Sequence, residues 1–262
     1  NQGTQTLSNT YFGVWVDADV GTATDDYVGC DVQRGLGYSY NGDAVDEPSN
    51  SSIGYGENPP AVGIDFFEGP YQDADSIDNP LTTNFGNAID SLGIPYEGIG
   101  IGYGDGIVDN ERFGMRRFVY YNNSNNPING EPATPLHFYN YMNGVWKNGQ
   151  KMAYGGDGVN ASTGANLDVS CDYMFPGDTD PFNWGTGGTT VEPWTEVTSG
   201  NPPADRRFIQ AAGPFTLEPG DYNNITMGVV WARATAGDPE ESVKLMRIAD
   251  DKAQALFLSL IH

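Results

Sequence analysis

The sequence predicts a mainly β protein: an antiparallel β-sandwich or jelly-roll-like fold with long acidic loops, one short helix and one C-terminal helix. Three observations predict it. Apolar and aromatic runs are short and are separated by turn residues, with 35 Gly, 17 Pro, 15 Tyr and 12 Phe among 262 residues. Helical periodicity is confined to two segments. Strands do not alternate with helices, which argues against βαβ units and a parallel sheet. The length suits one large β domain or two small ones; aromatics spread along the whole chain argue against disorder, and the expectation is one β-rich domain over residues 1–262.

The elements follow in order. Tyr11 to Val16 reads as a strand, and Asp17 to Asp31 as an acidic loop. Gly35 to Asn41 alternates small and aromatic residues, as a short strand does, and ends in the turn Asn41-Gly42-Asp43. Ala61 to Phe67 is an apolar strand, and residues 72 to 92 form a long polar excursion. Met115 to Tyr121 is a strand. Thr134 to Val145 has Pro135 behind a Thr cap and apolar residues at helical spacing, so it predicts a short helix. Residues 155 to 205 read mostly as loop. Phe208 to Leu217 and Asn224 to Ala232 are strands joined by the turn Pro219-Gly220-Asp221. Pro239 to Ile261 is the one long helix, capped by Asp238, with Val243, Leu245, Met246, Ile248, Ala249, Ala253, Leu256, Phe257 and Leu260 at helical spacing.

Charge is the second strong signal. Twelve Lys and Arg oppose 35 Asp and Glu, a net charge of −23. The imbalance is local: from Gly35 to Glu111 there is no Lys or Arg, against 14 acids. Such a field repels nucleic acid and anionic lipid. It also opposes a compact state unless a cation compensates; a bound metal, calcium above all, is the natural candidate, and a halophile-style acidic surface is the alternative. Asp (24) outnumbers Glu (11), which places the carboxylates on tight loops. The two cysteines, Cys30 and Cys171, allow one disulfide, and neither belongs to a CxxC zinc pair. No apolar run of about 18 residues suggests a transmembrane helix. The chain opens directly into strand-like sequence and reads as a piece of a longer protein.

Four groups of residues carry candidate chemistry. Asp17, Asp19, Asp25, Asp26 and Asp31, with Gly21 among them, place alternating carboxylates on one loop, as a calcium site of six to eight oxygens requires. It is no EF-hand, because the twelfth position from Asp17 is Val28. Asp43, with Asp46 and Glu47, either completes that site or belongs to an ordinary turn. Asp105, Asp109 and Glu111 form either a calcium loop or a hairpin turn. Asp178 and Asp180 lie in a run with Phe175, Phe182 and Trp184, and Trp194 follows. These aromatics either form a sugar-stacking face or belong to the core. Arg206 and Arg207 suggest an ion pair with the acidic half. Nucleophilic catalysis has little to stand on: His occurs only at 137 and 262, and GxSxG, HExxH and P-loop motifs are absent.

Several long runs carry a resemblance: TYFGVWVDADVGTATDDYVGCDVQRGLGYSYNGDAVDE, GYGENPPAVGIDFFEGP, DGIVDNERFGMRRFVYYNN, YNYMNGVWKNG, MFPGDTDPFNWGT and DRRFIQAAGPFTLEPGDYNNITMGVVWARA. Together they resemble an internal region of large Bacteroidetes proteins that end in a type IX secretion sorting domain. The resemblance implies export and a place on the cell surface or outside it, and implies little about activity. The expectation is therefore a secreted, calcium-stabilised binding or adhesion module for a glycan or a surface protein. The alternatives are a secreted hydrolase of polysaccharide or protein, and a structural subunit of a surface assembly.

Overall fold

A computed structural model of the chain describes residues 1–50, 52–80, 98 and 100–261. Two antiparallel sheets pack face to face. One has the order β1-β12-β9, from Leu7–Val16, Arg206–Leu217 and Arg117–Asn122; the other has the order β13-β6-β3-β2, from Thr226–Ala232, Ala61–Glu68, Leu36–Asn41 and Asp26–Asp31. The remaining strands form small two-stranded ladders: β4 (Val45–Asp46) with β5 (Gly56–Glu57), β7 (Gly100–Ile101) with β8 (Arg112–Phe113), and β10 (Ala153–Tyr154) with β11 (Asn166–Ser170). The predicted β class, both helices and the strands at 36–41, 61–67 and 208–217 all appear in the fold. Much of the excursion at 72–92 lies outside the described residues.

The sheet-to-sheet contact is close because small residues permit it. A Cβ on Gly37 would lie 2.2 Å from the Gln210 amide oxygen and under 3 Å from the rings of Phe118 and Phe208. Val28, Cys30 and Phe66 from one sheet join Phe118, Phe208 and Ala212 from the other in one buried cluster. The segment read as loop, 155–205, fills the rest of that core with Tyr173, Met174, Phe175 and Trp194.

The other face of the four-stranded sheet is covered by the C-terminal helix. Helix α1 spans Pro135–Met142, α2 Glu196–Ser199 and α3 Pro239–Ile261. Asp238 caps α3 by accepting from the Glu240 N–H at 3.0 Å. Val243 and Met246 bury against Tyr38, Tyr40, Leu36 and Val230. Leu245, Ile248, Leu256 and Leu260, which the periodicity assigned to the apolar face, are exposed. The buried stripe continues instead through Asp250 and Gln254, whose amide donates to the Phe67 carbonyl. Among the described residues no helix is long and apolar enough to cross a membrane.

One expectation changes, and the pairing of the cysteines, open in the sequence, is decided. The acidic loop ends at Asp25, and Asp26–Asp31 is a strand buried along its whole length. Tyr27, Val28 and Cys30 supply the β propensity, and acids at both ends disguise the run. Cys30 and Cys171 are free thiols in the same core. Each donates to a main-chain carbonyl, Met174 for Cys30 and Ala153 for Cys171, and burial pushes both thiols up in pKa, so neither is primed to react.

One ion pair ties α2 to the sheets. Glu196, fully buried, takes Arg206 Nη2 at 2.8 Å and also accepts from the Val28 N–H at 3.1 Å. Replacing Arg206 with Met leaves the Glu196 carboxylate buried without its partner, so Arg206→Met is expected to lose about 3–5 kcal/mol of stability by urea denaturation. Adding Glu196→Gln should return a large part of that loss.

Candidate metal centre

Four strand ends meet at one end of the sandwich: the end of β1, the start of β2, the end of β3 and the start of β12. Antiparallel pairing dictates this. Asp26 stands opposite Asn41, Val16 opposite Phe208, and Asp26 also bridges Ala204, whose N–H it accepts at 3.1 Å. Directly opposed residues hold their Cβ atoms about 4.5–5.5 Å apart on one face. Gly42 lets the chain turn there: a Cβ would sit 2.6 Å from both the Asp25 carbonyl oxygen and Pro203.

Asp26 is 1% exposed and Asn41 is fully buried. The Asp26 Oδ2 atom accepts from the Val20 N–H at 3.0 Å. Its Oδ1 atom has no hydrogen-bond partner among the described residues, and the same holds for Oδ1 of Asn41 and of Asp25. The Asn41 amide is oriented by its donor side, which reaches the Asp43 carbonyl at 3.1 Å. Buried polar atoms are rarely left unpaired, and a buried carboxylate least of all. The charged groups acting most strongly on Asp26 are Asp25, Asp19 and Asp46, all acids. Burial first, and then these carboxylates, pushes its carboxyl up to about 8. Burial and then Asp46 push Asp25 up to about 6.

A second acidic group adjoins the first. Asp17, Asp19 and Asp205 bring carboxylate oxygens within 4.8 Å of one another, the one such group among the described residues. Arg207 partly neutralises it, with Nε 2.9 Å from Asp17 and Nη2 3.9 Å from Asp205. Asp19 links the groups: its carboxyl is raised by burial, then by Asp17 and Asp205, and it acts in turn on Asp26. The donor set is all oxygen and mostly anionic, which fits a hard divalent cation such as calcium, with water completing its shell. Asp25, Asp26 and Asn41 would hold it, and Asp19 would flank it.

The other predicted ligands lie elsewhere. Asp31 sits at the far end of β2, buried, where Arg34 and Arg247 reach it at 2.8 and 3.0 Å; it is already neutralised and leaves the candidate set. Asp43 accepts from the Val45 N–H in a tight turn. Asp46 organises the loop from Gly21 by accepting from the N–H groups of Thr22 and Tyr55. Asp109 accepts from the N–H groups of Asp75 and Ser76, Asp105 from Ile107 and the Asn110 amide, and Glu111 from Asn79. Main-chain amides thus hold these three acids where a cation was expected.

Of the two aromatic readings, the core is the one the structure shows. Trp194 is core: it packs 4.9 Å from Phe175 and 4.7 Å from Tyr154, and its Nε1 donates to Ser199 at 2.7 Å. Trp184 packs on Phe182 against the same core. Asp180 accepts from the N–H groups of Trp184 and Gly185, while Asp178 is exposed beside a small cleft. His137 is occupied at the start of α1, where its Nδ1 accepts from the Ala133 N–H. Comparison of the chain with protein-family models, curated proteins and solved structures returns no match.

The raised carboxyls set a pH dependence. An unfolded Asp titrates near about 3.9, so the folded state holds its protons to higher pH than the unfolded chain does. Without divalent metal, the melting temperature is expected to fall as pH rises from 5 to 8. Asp26→Asn, which cannot ionise, should flatten the fall between pH 6 and 8; an unchanged profile in that variant would contradict this assignment.

Proposed function

We propose that the chain is a calcium-stabilised binding or adhesion module that works outside the cell. The observation that carries the calcium reading is the pair Asp26 and Asn41: two buried side chains, face to face across β2 and β3, each with an oxygen that finds no donor among the described residues. A cation is the partner that satisfies both at once and relieves the repulsion from Asp25 and Asp19. Extracellular modules bind calcium with Kd values of about 10⁻⁴–10⁻³ M, which suits a site built on a few strand-end ligands.

The extracellular setting is supported by the resemblance of the long sequence runs to secreted surface proteins and by the acidic surface. The binding role is supported by what the residues are used for. The lone internal His serves a helix terminus, and the raised carboxylates Asp25 and Asp26 belong to the strand-end group and to none of the described clefts. A hydrolase would place such acids in a cleft.

Calcium at tenfold above its Kd should raise the melting temperature at pH 8 by about 3–6 °C. Magnesium, which demands tighter octahedral geometry, should do less. The rise should vanish in Asp26→Asn and survive in Asp105→Asn. A melting temperature indifferent to both calcium and chelator would sink the reading.

A further inference from the structure

A cleft of about 550 Å³ opens between residues 71–74 and the turn that follows β12, at the opposite end of the sandwich from the strand-end carboxylates. Its volume falls within the range of small-ligand sites, ~300–1,000 Å³. Tyr71 and Tyr222 line it with Gln72, Asp73, Glu218 and Asp221. Tyr222 is 85% exposed and Tyr71 40%, so both rings remain open to a ligand.

The walls are held in place from behind. Arg112, itself buried, lies over one face of the Tyr71 ring at 3.7 Å and pairs with Glu68 at 3.0 Å. The same guanidinium donates to the carbonyls of Gly69 and Asn224, so it ties the two walls together. The Asn223 side chain grips the Tyr71 main chain twice, accepting from its N–H at 2.8 Å and donating to its carbonyl at 3.3 Å. The cleft is therefore set before any ligand arrives, which lowers the ordering cost of binding.

We propose that this cleft binds a neutral saccharide. The inference rests on the reading of the chain as a binding module and names its ligand class. A tyrosine ring offers a flat apolar face to the C–H face of a sugar, and its hydroxyl offers a polar tip. Carboxylates and amides beside the rings offer strong acceptors and donors to sugar hydroxyls. Glu218 makes no side-chain hydrogen bond among the described residues and is available for this. Asp73, Glu218 and Asp221 together repel a uronate or sulfated sugar. A cationic ligand is disfavoured at Tyr71, because Arg112 already engages the π system from behind and a second cation would oppose it across the ring.

The test is calorimetric titration of the full chain, in calcium, with neutral gluco-, xylo-, manno- and N-acetylglucosamine oligosaccharides. Polygalacturonate and oligolysine are titrated alongside. At least one neutral series should bind, and Tyr222→Ala, which removes a ring from the surface and no buried contact, should weaken it about tenfold. The strand-end carboxylates stand about 30 Å away along the ten residues of β1, so this affinity reports on the cleft alone. The proposal is overturned if no neutral saccharide binds, if Tyr222→Ala binds as the native chain does, or if polygalacturonate or oligolysine is preferred. Saccharide binding that survives while calcium fails to raise the melting temperature would remove the metal reading alone. The converse would remove this proposal alone.

Discussion

Carboxylates outnumber cationic side chains 35 to 12, and a folded chain can bury such groups only where something positive meets them. The arginines meet one set of them. Arg34 and Arg247 converge on Asp31 between the four-stranded sheet and α3, Arg206 holds Glu196 inside the sandwich, Arg112 holds Glu68 under Tyr71, and Arg207 reaches Asp17 and Glu131. Main-chain amides meet another set, at Asp46, Asp109, Asp180 and Glu111. At the joined ends of β2 and β3 no arginine pairs with Asp25 or Asp26, and the one amide, from Val20, meets only Oδ2 of Asp26, leaving Oδ1 of both acids without a partner among the described residues. There Asp25 and Asp26 face other acids, and that remainder makes a bound cation the economical explanation.

Much of the fold was legible because local signals and tertiary packing agree. Asp238 and Pro239 mark the start of α3, and Thr134 and Pro135 the start of α1, since caps and first-turn prolines act within a few residues. Strands with one dominant apolar run, such as Ala61–Glu68, also declared themselves. Where a strand is buried on both faces, alternation disappears. Asp26–Asp31 is such a strand, and its acidic ends made it look like loop.

The candidate site was half legible. Asp17, Asp19, Asp25 and Asp26 stood out as closely spaced acids, but spacing does not say which carboxylates remain unpaired. That depends on partners distant in the chain. Arg247 on the C-terminal helix removes Asp31, and amides from residues 75 and 76 occupy Asp109. Asn41 and Asp205 join only through strand pairing, Asn41 opposite Asp26 and Asp205 beside Ala204. The aromatic runs were ambiguous for a related reason. Trp194 looks like any surface tryptophan until Phe175 and Tyr154 close over it, whereas Tyr71 and Tyr222 gave no signal because a cleft is a property of two segments at once.

A cation at the joined ends of β2 and β3 is tested most directly by a crystal structure of the full chain grown with calcium and then with strontium, whose anomalous signal marks the cation. One peak is expected between Asp25, Asp26 and Asn41, with oxygen ligands at calcium-like distances of about 2.3–2.6 Å. Empty density there, with a protonated Asp26 hydrogen-bonded to Asn41 instead, would contradict it.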